Sequence, residues 1–138
     1  MNVAFFLTPK SEVIWVPDTA TLRQAIERIE ADRFAAIPIL DAQGHYAGTL
    51  TEGDVLWALW HADGVTREAA QHLSLRQLAR HAKYQSVSID AQVEELLTLA
   101  AQQNFVPVAD SRGAFIGIVR RKSIIEHCAK LMRTPATR

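Results

Sequence analysis

The sequence predicts an α+β fold made of two β-α-β-β-α units packed pseudo-symmetrically through their sheets. Three observations predict it. The first is an internal duplication. Subtracting 38 from 107 gives 69, and the same difference relates Pro38 to Pro107, Asp41 to Asp110, Gly44 to Gly113 and Gly48 to Gly117. Apolar positions keep step, with Ile37, Ile39 and Leu50 answered by Val106, Val108 and Val119. The second is an apolar strand broken by proline and followed by an Asp-x-x-Gly turn, present in both copies. The third is Gly48-Thr49-Leu50-Thr51-Glu52-Gly53-Asp54, which reads as a strand running straight into a helix. Two copies of so long a repeat are too few for a solenoid. Two such halves bury a shared core that neither buries alone.

The boundaries follow from the repeat. Residues 1–62 hold an N-terminal arm and the first repeat, 63–85 a helical linker, and 86–138 the second repeat and a tail. The linker has no Gly/Ser-rich spacer, so packed rather than tethered halves are expected.

Each element has a local reason. Residues 1–10, with Phe5, Phe6 and Leu7, read as a short helix or an extended arm. Val13-Ile14-Trp15-Val16 is β-branched and aromatic, hence a strand, ended by Pro17-Asp18. Thr19 or Thr21 caps the next helix, whose Leu22, Ala25, Ile26 and Ile29 form one apolar face. Ile37-Pro38-Ile39-Leu40 is a buried strand, and Pro38 argues for a sheet edge or a strand's first residues. Asp41 to Gly44 is turn chemistry, and Tyr46 to Thr51 returns as the hairpin partner. A helix runs from Asp54 to about His61. One or two short helices are expected in residues 65–83. The second half repeats the plan: strand Val87 to Ile89, a helix capped by Asp90, strand Phe105 to Val108, strand Ala114 to Val119, and a helix from Ser123 to about Met132. The tail after Thr134 is expected to lack order.

Composition removes several function classes. The formal net charge is zero, so the molecule as a whole has no pull on nucleic acid or a membrane surface. No apolar run spans a bilayer, and Val3 to Leu7 is too short for a signal segment. The single cysteine, Cys128, fits a reducing compartment. A cytoplasmic location is expected. No Ser/His/Asp order, paired apolar carboxylates or Gly-rich phosphate loop is present, so no enzyme is expected. His127 and Cys128 lack further ligands at metal spacing, which argues against a metal site. His45, His61, His72 and His81 read as surface residues. Trp57 and Trp60 read as packing residues of a helix pair or a dimer.

The chemistry-bearing segment is Thr51 to Asp54. Its plain reading is a capping box, with the Thr51 oxygen and the Asp54 carboxylate serving the first helical turn. Its second reading is ligand recognition.

These motifs resemble the CBS domain, and two in tandem resemble a CBS pair, or Bateman module. The residues carrying the resemblance are Ile37-Pro38-Ile39, Asp41 to Gly44 and Gly48 to Asp54. The second set is Val106-Pro107-Val108, Asp110 to Gly113 and Gly117 to Ser123. The resemblance covers about residues 8–132, and is similar to small bacterial members of the family. It implies a sensor that binds adenine nucleotides or adenosyl compounds in clefts between repeats, without catalysis or an obligatory cofactor. It implies Thr51 facing phosphate and Asp54 binding ribose hydroxyls. It implies adenine against Phe34, Ala35, Ala36, Ile37 and Pro38, and against Ser11 to Val13. A small Ala36 leaves room for a ring. It also implies a homodimer formed through the helices after the motifs, with an unknown protein effector.

The second repeat departs from this pattern. Arg120 replaces the threonine and Ser123 the aspartate. Arg120, Arg121 and Lys122 at a helix start suit phosphate, and their plain reading is a solvated charge run. The leading expectation is a regulatory module binding AMP, ADP or ATP. One alternative is a cyclic di-AMP receptor, since the arginine run resembles that of small bacterial members binding this ligand. The alternative from another class is a dimeric protein-interaction scaffold that binds no nucleotide.

Overall fold

A computed structural model describes residues 1–62, 64, 66–78 and 83–133. The chain order is α1 (Val3–Phe6), β1 (Leu7–Pro9), β2 (Val16–Pro17), α2 (Leu22–Asp32), β3 (Ala36–Leu40), β4 (Tyr46–Thr51), α3 (Glu52–Trp60) and α4 (Arg67–Gln71). It continues with β5 (Val87–Ser88), α5 (Val93–Ala100), β6 (Phe105–Ala109), β7 (Phe115–Arg120) and α6 (Arg121–Arg133). Two 3-10 turns, Lys10–Glu12 and Leu75–Gln77, lie between them. Both repeats are therefore β-α-β-β-α, and the fold is α+β.

The residues fall into two units by packing. The first-repeat unit holds Ile14–Tyr84 with Gly113–Phe115, and the second-repeat unit holds Met1–Val13, Gln85–Arg112 and the chain from Ile116. In the first-repeat unit the sheet order is β2-β3-β4. β2 runs parallel to β3, and β3 antiparallel to β4. In the second-repeat unit the order is β1-β7-β6-β5. There β5 runs parallel to β6, and the arm strand β1 pairs antiparallel with β7. The sequence reading grouped the arm with the first repeat. The structure pairs it with the last strand of the second.

Each unit has its own core, built from duplicated positions. Ile37, Ile39 and Leu50 fill one, and Val106, Val108 and Val119 fill the other. Different segments complete them. Ala70 and Leu75 from the linker close the first core, and Val3 and Phe6 from α1 close the second. The linker also bonds to the start of α2, through Leu22 N–H to the Leu73 carbonyl at 2.8 Å and Leu75 N–H to the Ala20 carbonyl at 3.1 Å.

Several elements differ from expectation. The strand expected at Val13 to Val16 is reduced to Val16–Pro17, because Val13 N–H closes the preceding 3-10 turn on Lys10. Pro38 is neither at an edge nor first, but central in β3, itself the middle strand. This is tolerated because β2 pairs only with Ile39 and Leu40, so its ladder begins just after the proline. Pro107 repeats the arrangement, since β5 begins its pairing at Val108. Of the two threonines expected as caps of α2, Thr21 serves, in a reciprocal bond with Gln24. Asp90 does not cap α5. Gln92 stands there without a side-chain bond, and Asp90 N–H instead donates to Ser88 Oγ. Along α5, Leu96 and Leu99 pack on the core and Leu97 is exposed. The tail beyond Arg133 and His81 lie outside the described residues.

Candidate functional site

The Thr51–Asp54 junction is built by three contacts. Ala36 pairs with Thr51 across the hairpin. Glu52 N–H donates to the Ala35 carbonyl at 3.0 Å, tying the helix start to the entry of β3. The capping box is complete: Asp54 N–H donates to Thr51 Oγ1 at 3.1 Å, and Thr51 N–H donates to Asp54 Oδ2 at 2.9 Å. Asp54 is only 1% exposed. The plain reading of these two residues is thus realised in full, and one carboxylate oxygen is held by its own helix start.

The hairpin before this junction carries a bulge. Ile39 lies opposite Gly48 and Leu40 opposite Tyr46, so Ala47 has no partner. The bulge brings Tyr46 onto the face of Thr49, and their hydroxyls meet at 2.6 Å. A cleft of about 430 Å³ opens here, lined by Tyr46, Gly48, Thr49, Leu78, Lys83 and Tyr84. Residues two apart on a strand share a face. Thr49 in the cleft wall therefore shares a face of β4 with Thr51. Sequence reasoning did not single out Tyr46, Thr49, Lys83 or Tyr84. A bulge leaves no compositional mark, so no sequence signal led to them.

The other expected residues divide between the units. Phe34 is half-buried, Ala35 exposed, and Ala36, Ile37 and Pro38 buried, all in the first-repeat unit with Thr51 and Asp54. Ser11, in the Lys10–Glu12 turn, is exposed, and Val13 is buried. Both belong to the second-repeat unit, as do Arg120, Arg121, Lys122 and Ser123. Arg121 N–H donates to the Asn104 carbonyl at 3.0 Å, the counterpart of Glu52 to Ala35. Its Nε donates to the Ala100 carbonyl at 2.7 Å, so the guanidinium caps the C-terminal end of α5. Lys122 is exposed and sits 3.9 Å from Glu126 on its own helix. Ser123 is half-buried.

A buried amide in the second repeat was also missed. Gln103 Oε1 accepts from Gln85 N–H at 2.7 Å, and its Nε2 donates to the carbonyls of Gln85 at 3.0 Å and Phe105 at 3.1 Å. Only its register, 69 positions after Phe34, could have drawn attention to it. His127 packs edge-on to Phe5 and Phe6, with centroids at 5.0 Å and 5.5 Å. Among the described residues, no cluster of His, Cys, Asp and Glu is arranged to hold a metal, and no helix is long and apolar enough to cross a membrane.

The CBS domain profile matches the chain twice, over residues 6–61 and 75–130. The chain belongs to the CBS domain family. It is a tandem CBS regulatory module rather than an enzyme. Solved structures agree on the fold. A CBS domain protein from Streptococcus pneumoniae is 24% identical, with a TM-score of 0.82, covering 95% of this chain and 88% of that one. A hypothetical conserved protein from Geobacillus kaustophilus is 21% identical, with a TM-score of 0.85, covering 95% and 98%. The CbpB protein of Listeria monocytogenes, solved in complex with cyclic di-AMP, is 19% identical, with a TM-score of 0.82, covering 94% and 96%. A search of curated proteins finds no significant match.

Proposed function

We propose that this CBS pair senses an adenine nucleotide, AMP, ADP or ATP, and signals to a protein partner through a ligand-dependent change in conformation. The carrying observation is the cleft on the first-repeat unit lined by Lys83 and by Tyr46 and Thr49, on the strand that ends at Thr51. A nucleotide there meets hydroxyls of Tyr46 and Thr49, an aromatic ring and the Lys83 cation, which together suit a ribose phosphate. In this reading Asp54 accepts from ribose hydroxyls, Thr51 faces phosphate, and the base lies against Phe34 to Pro38. Ser11 and Val13 remain base-directed residues of the reading. Arg120, Arg121, Lys122 and Ser123 are its phosphate-directed residues, with Arg121 also serving as the cap of α5. Asp54 is only 1% exposed, with Oδ2 held by Thr51 N–H, so a ribose reaches its carboxylate only on local opening of the junction.

A second reading is cyclic di-AMP, favoured by the Listeria CbpB complex of the same fold and by the Arg120–Lys122 run. We also propose a homodimer. Trp57 and Trp60 on α3, and Ile125, Leu131 and Met132 on α6, are exposed apolar residues on the helices that follow the motifs.

The test is a thermal-shift panel of AMP, ADP, ATP, cyclic di-AMP, S-adenosylmethionine and GTP. A ligand selective for the folded state raises the melting temperature. A shift with an adenine compound, absent with GTP, supports the sensor and names its ligand. No shift with any compound moves the reading to a nucleotide-free scaffold.

A further inference from the structure

The two repeats are equivalent in backbone and opposite in what fills the entry to their central strand. The equivalence is fixed by matched hydrogen bonds, Glu52 to Ala35 and Arg121 to Asn104, both 3.0 Å. The flanking residues therefore correspond: Phe34 to Gln103 and Ala36 to Phe105. In the first repeat the pair is a half-buried ring and a methyl group. In the second it is a buried amide and a buried ring, each 5% exposed.

The amide is fully engaged. Gln103 clamps both backbone groups of Gln85, just before β5, and reaches the carbonyl of Phe105 at the start of β6. An amide carries one acceptor oxygen and two donor hydrogens, and here each type is used. Phenylalanine at the corresponding Phe34 has neither, so no such clamp forms in the first repeat. Phe105 adds bulk where Ala36 leaves room. Entry of a planar base at the second repeat would break three hydrogen bonds and displace a buried ring. Two backbone groups of Gln85 would lose their partners.

We propose that Gln103 and Phe105 close the second repeat to a nucleotide base, so that the chain admits a base only at the first repeat. This rests on the reading that the base lies against Phe34 to Pro38. Gln103 and Phe105 then add to the asymmetry that Arg120 and Ser123 give the tandem. The closure is made of side chains, so exchanging them should reverse it.

Photolabelling with 8-azido-ATP, competed by ATP and mapped by peptide mass spectrometry, tests this. In the wild type, competable label is expected on peptides containing residues 34–38, and at least about tenfold less on those containing 103–107, a difference of one decade in affinity. The exchange Gln103→Phe with Phe105→Ala copies the first repeat and is expected to bring label to 103–107. Phe34→Gln, which copies the amide into the first repeat, is expected to reduce label at 34–38. Equal competable label at both repeats of the wild type overturns the closure without any variant. So does a folded double variant, verified by circular dichroism, that gains none. Competable label elsewhere, or nowhere, defeats the base assignment itself, and the closure falls with it.

Discussion

The carbonyl oxygen of Thr8 occupies the space that a side chain on Gly117 would need. β1 lies in register against β7, with Thr8 opposite Ile118 and Pro9 opposite Gly117. Gly117 has φ of +155° and lets the arm approach backbone to backbone. The glycine that marks the repeat in sequence is, in this copy, the seat of the arm.

Gly117→Ala should therefore unseat β1. A methyl group there meets backbone on one side and the Leu7 side chain on the other. The expected cost is about 2–4 kcal/mol, the scale of overpacking against backbone that cannot yield. Urea unfolding measures it. Faster tryptic cleavage at Lys10 should accompany the loss, and an unchanged midpoint would contradict the seating.

At the motif, stability and binding should separate. Thr51→Ala removes one arm of the capping box and should cost about 1 kcal/mol, whereas Thr51→Ser should restore most of it. Asp54→Ala should cost a similar amount of stability and also weaken adenine-nucleotide binding by about 1.5–3 kcal/mol, roughly 10- to 150-fold. Calorimetric titration of the folded variant reads the second effect. Unchanged affinity removes Asp54 from the site.

Arg121 should behave as a cap more than as a ligand residue. Arg121→Ala loses a charged donor to the Ala100 carbonyl and should lower stability by about 1.5–3 kcal/mol. Arg120→Ala and Lys122→Ala should instead lower affinity for ATP more than for adenosine, with small effects on unfolding. A large affinity loss in Arg121→Ala at unchanged stability would reverse these roles.

The exposed tryptophans give the dimer proposal its test. Trp60 is 69% exposed, so Trp60→Ser should change monomer stability by no more than about 0.5 kcal/mol. If α3 forms the dimer face, sedimentation should show the variant dissociating at concentrations where the wild type stays paired. Identical sedimentation of the two proteins removes α3 from the interface.

Most of the fold was legible because punctuation and periodicity carried it. Gly44 and Gly113, with φ of +79° and +84°, mark turns that other residues resist, and the duplicated proline strands fix the register between copies. Helix α2 showed its apolar face, and its cap was narrowed to Thr19 or Thr21. The arm was not legible, since nothing in Leu7-Thr8-Pro9 names the strand it pairs with. Pro38 misled because propensity does not reveal how far a neighbouring strand extends. At the candidate site, spacing marked Thr51 and Asp54 as a capping box, which the structure contains, and the family resemblance alone pointed to a ligand. The cleft on β4 depends on a bulge at Ala47, and the proposed closure of the second repeat on a glutamine that composition ranks as surface. Both depend on tertiary contacts.

The arm has a consequence for the order in which the protein is made. Leu7 to Pro9 leave the ribosome about a hundred residues ahead of their partner, Gly117 to Val119. At about 5–20 residues per second, the roughly hundred residues between them take on the order of 5–20 s. Through that interval Val3 and Phe6 have no core to enter, because β6, β7 and α6 do not yet exist. The first-repeat unit, nearly continuous in sequence, can assemble meanwhile. The nascent chain thus carries an apolar segment in waiting, a natural target for a holding chaperone until β7 and α6 emerge.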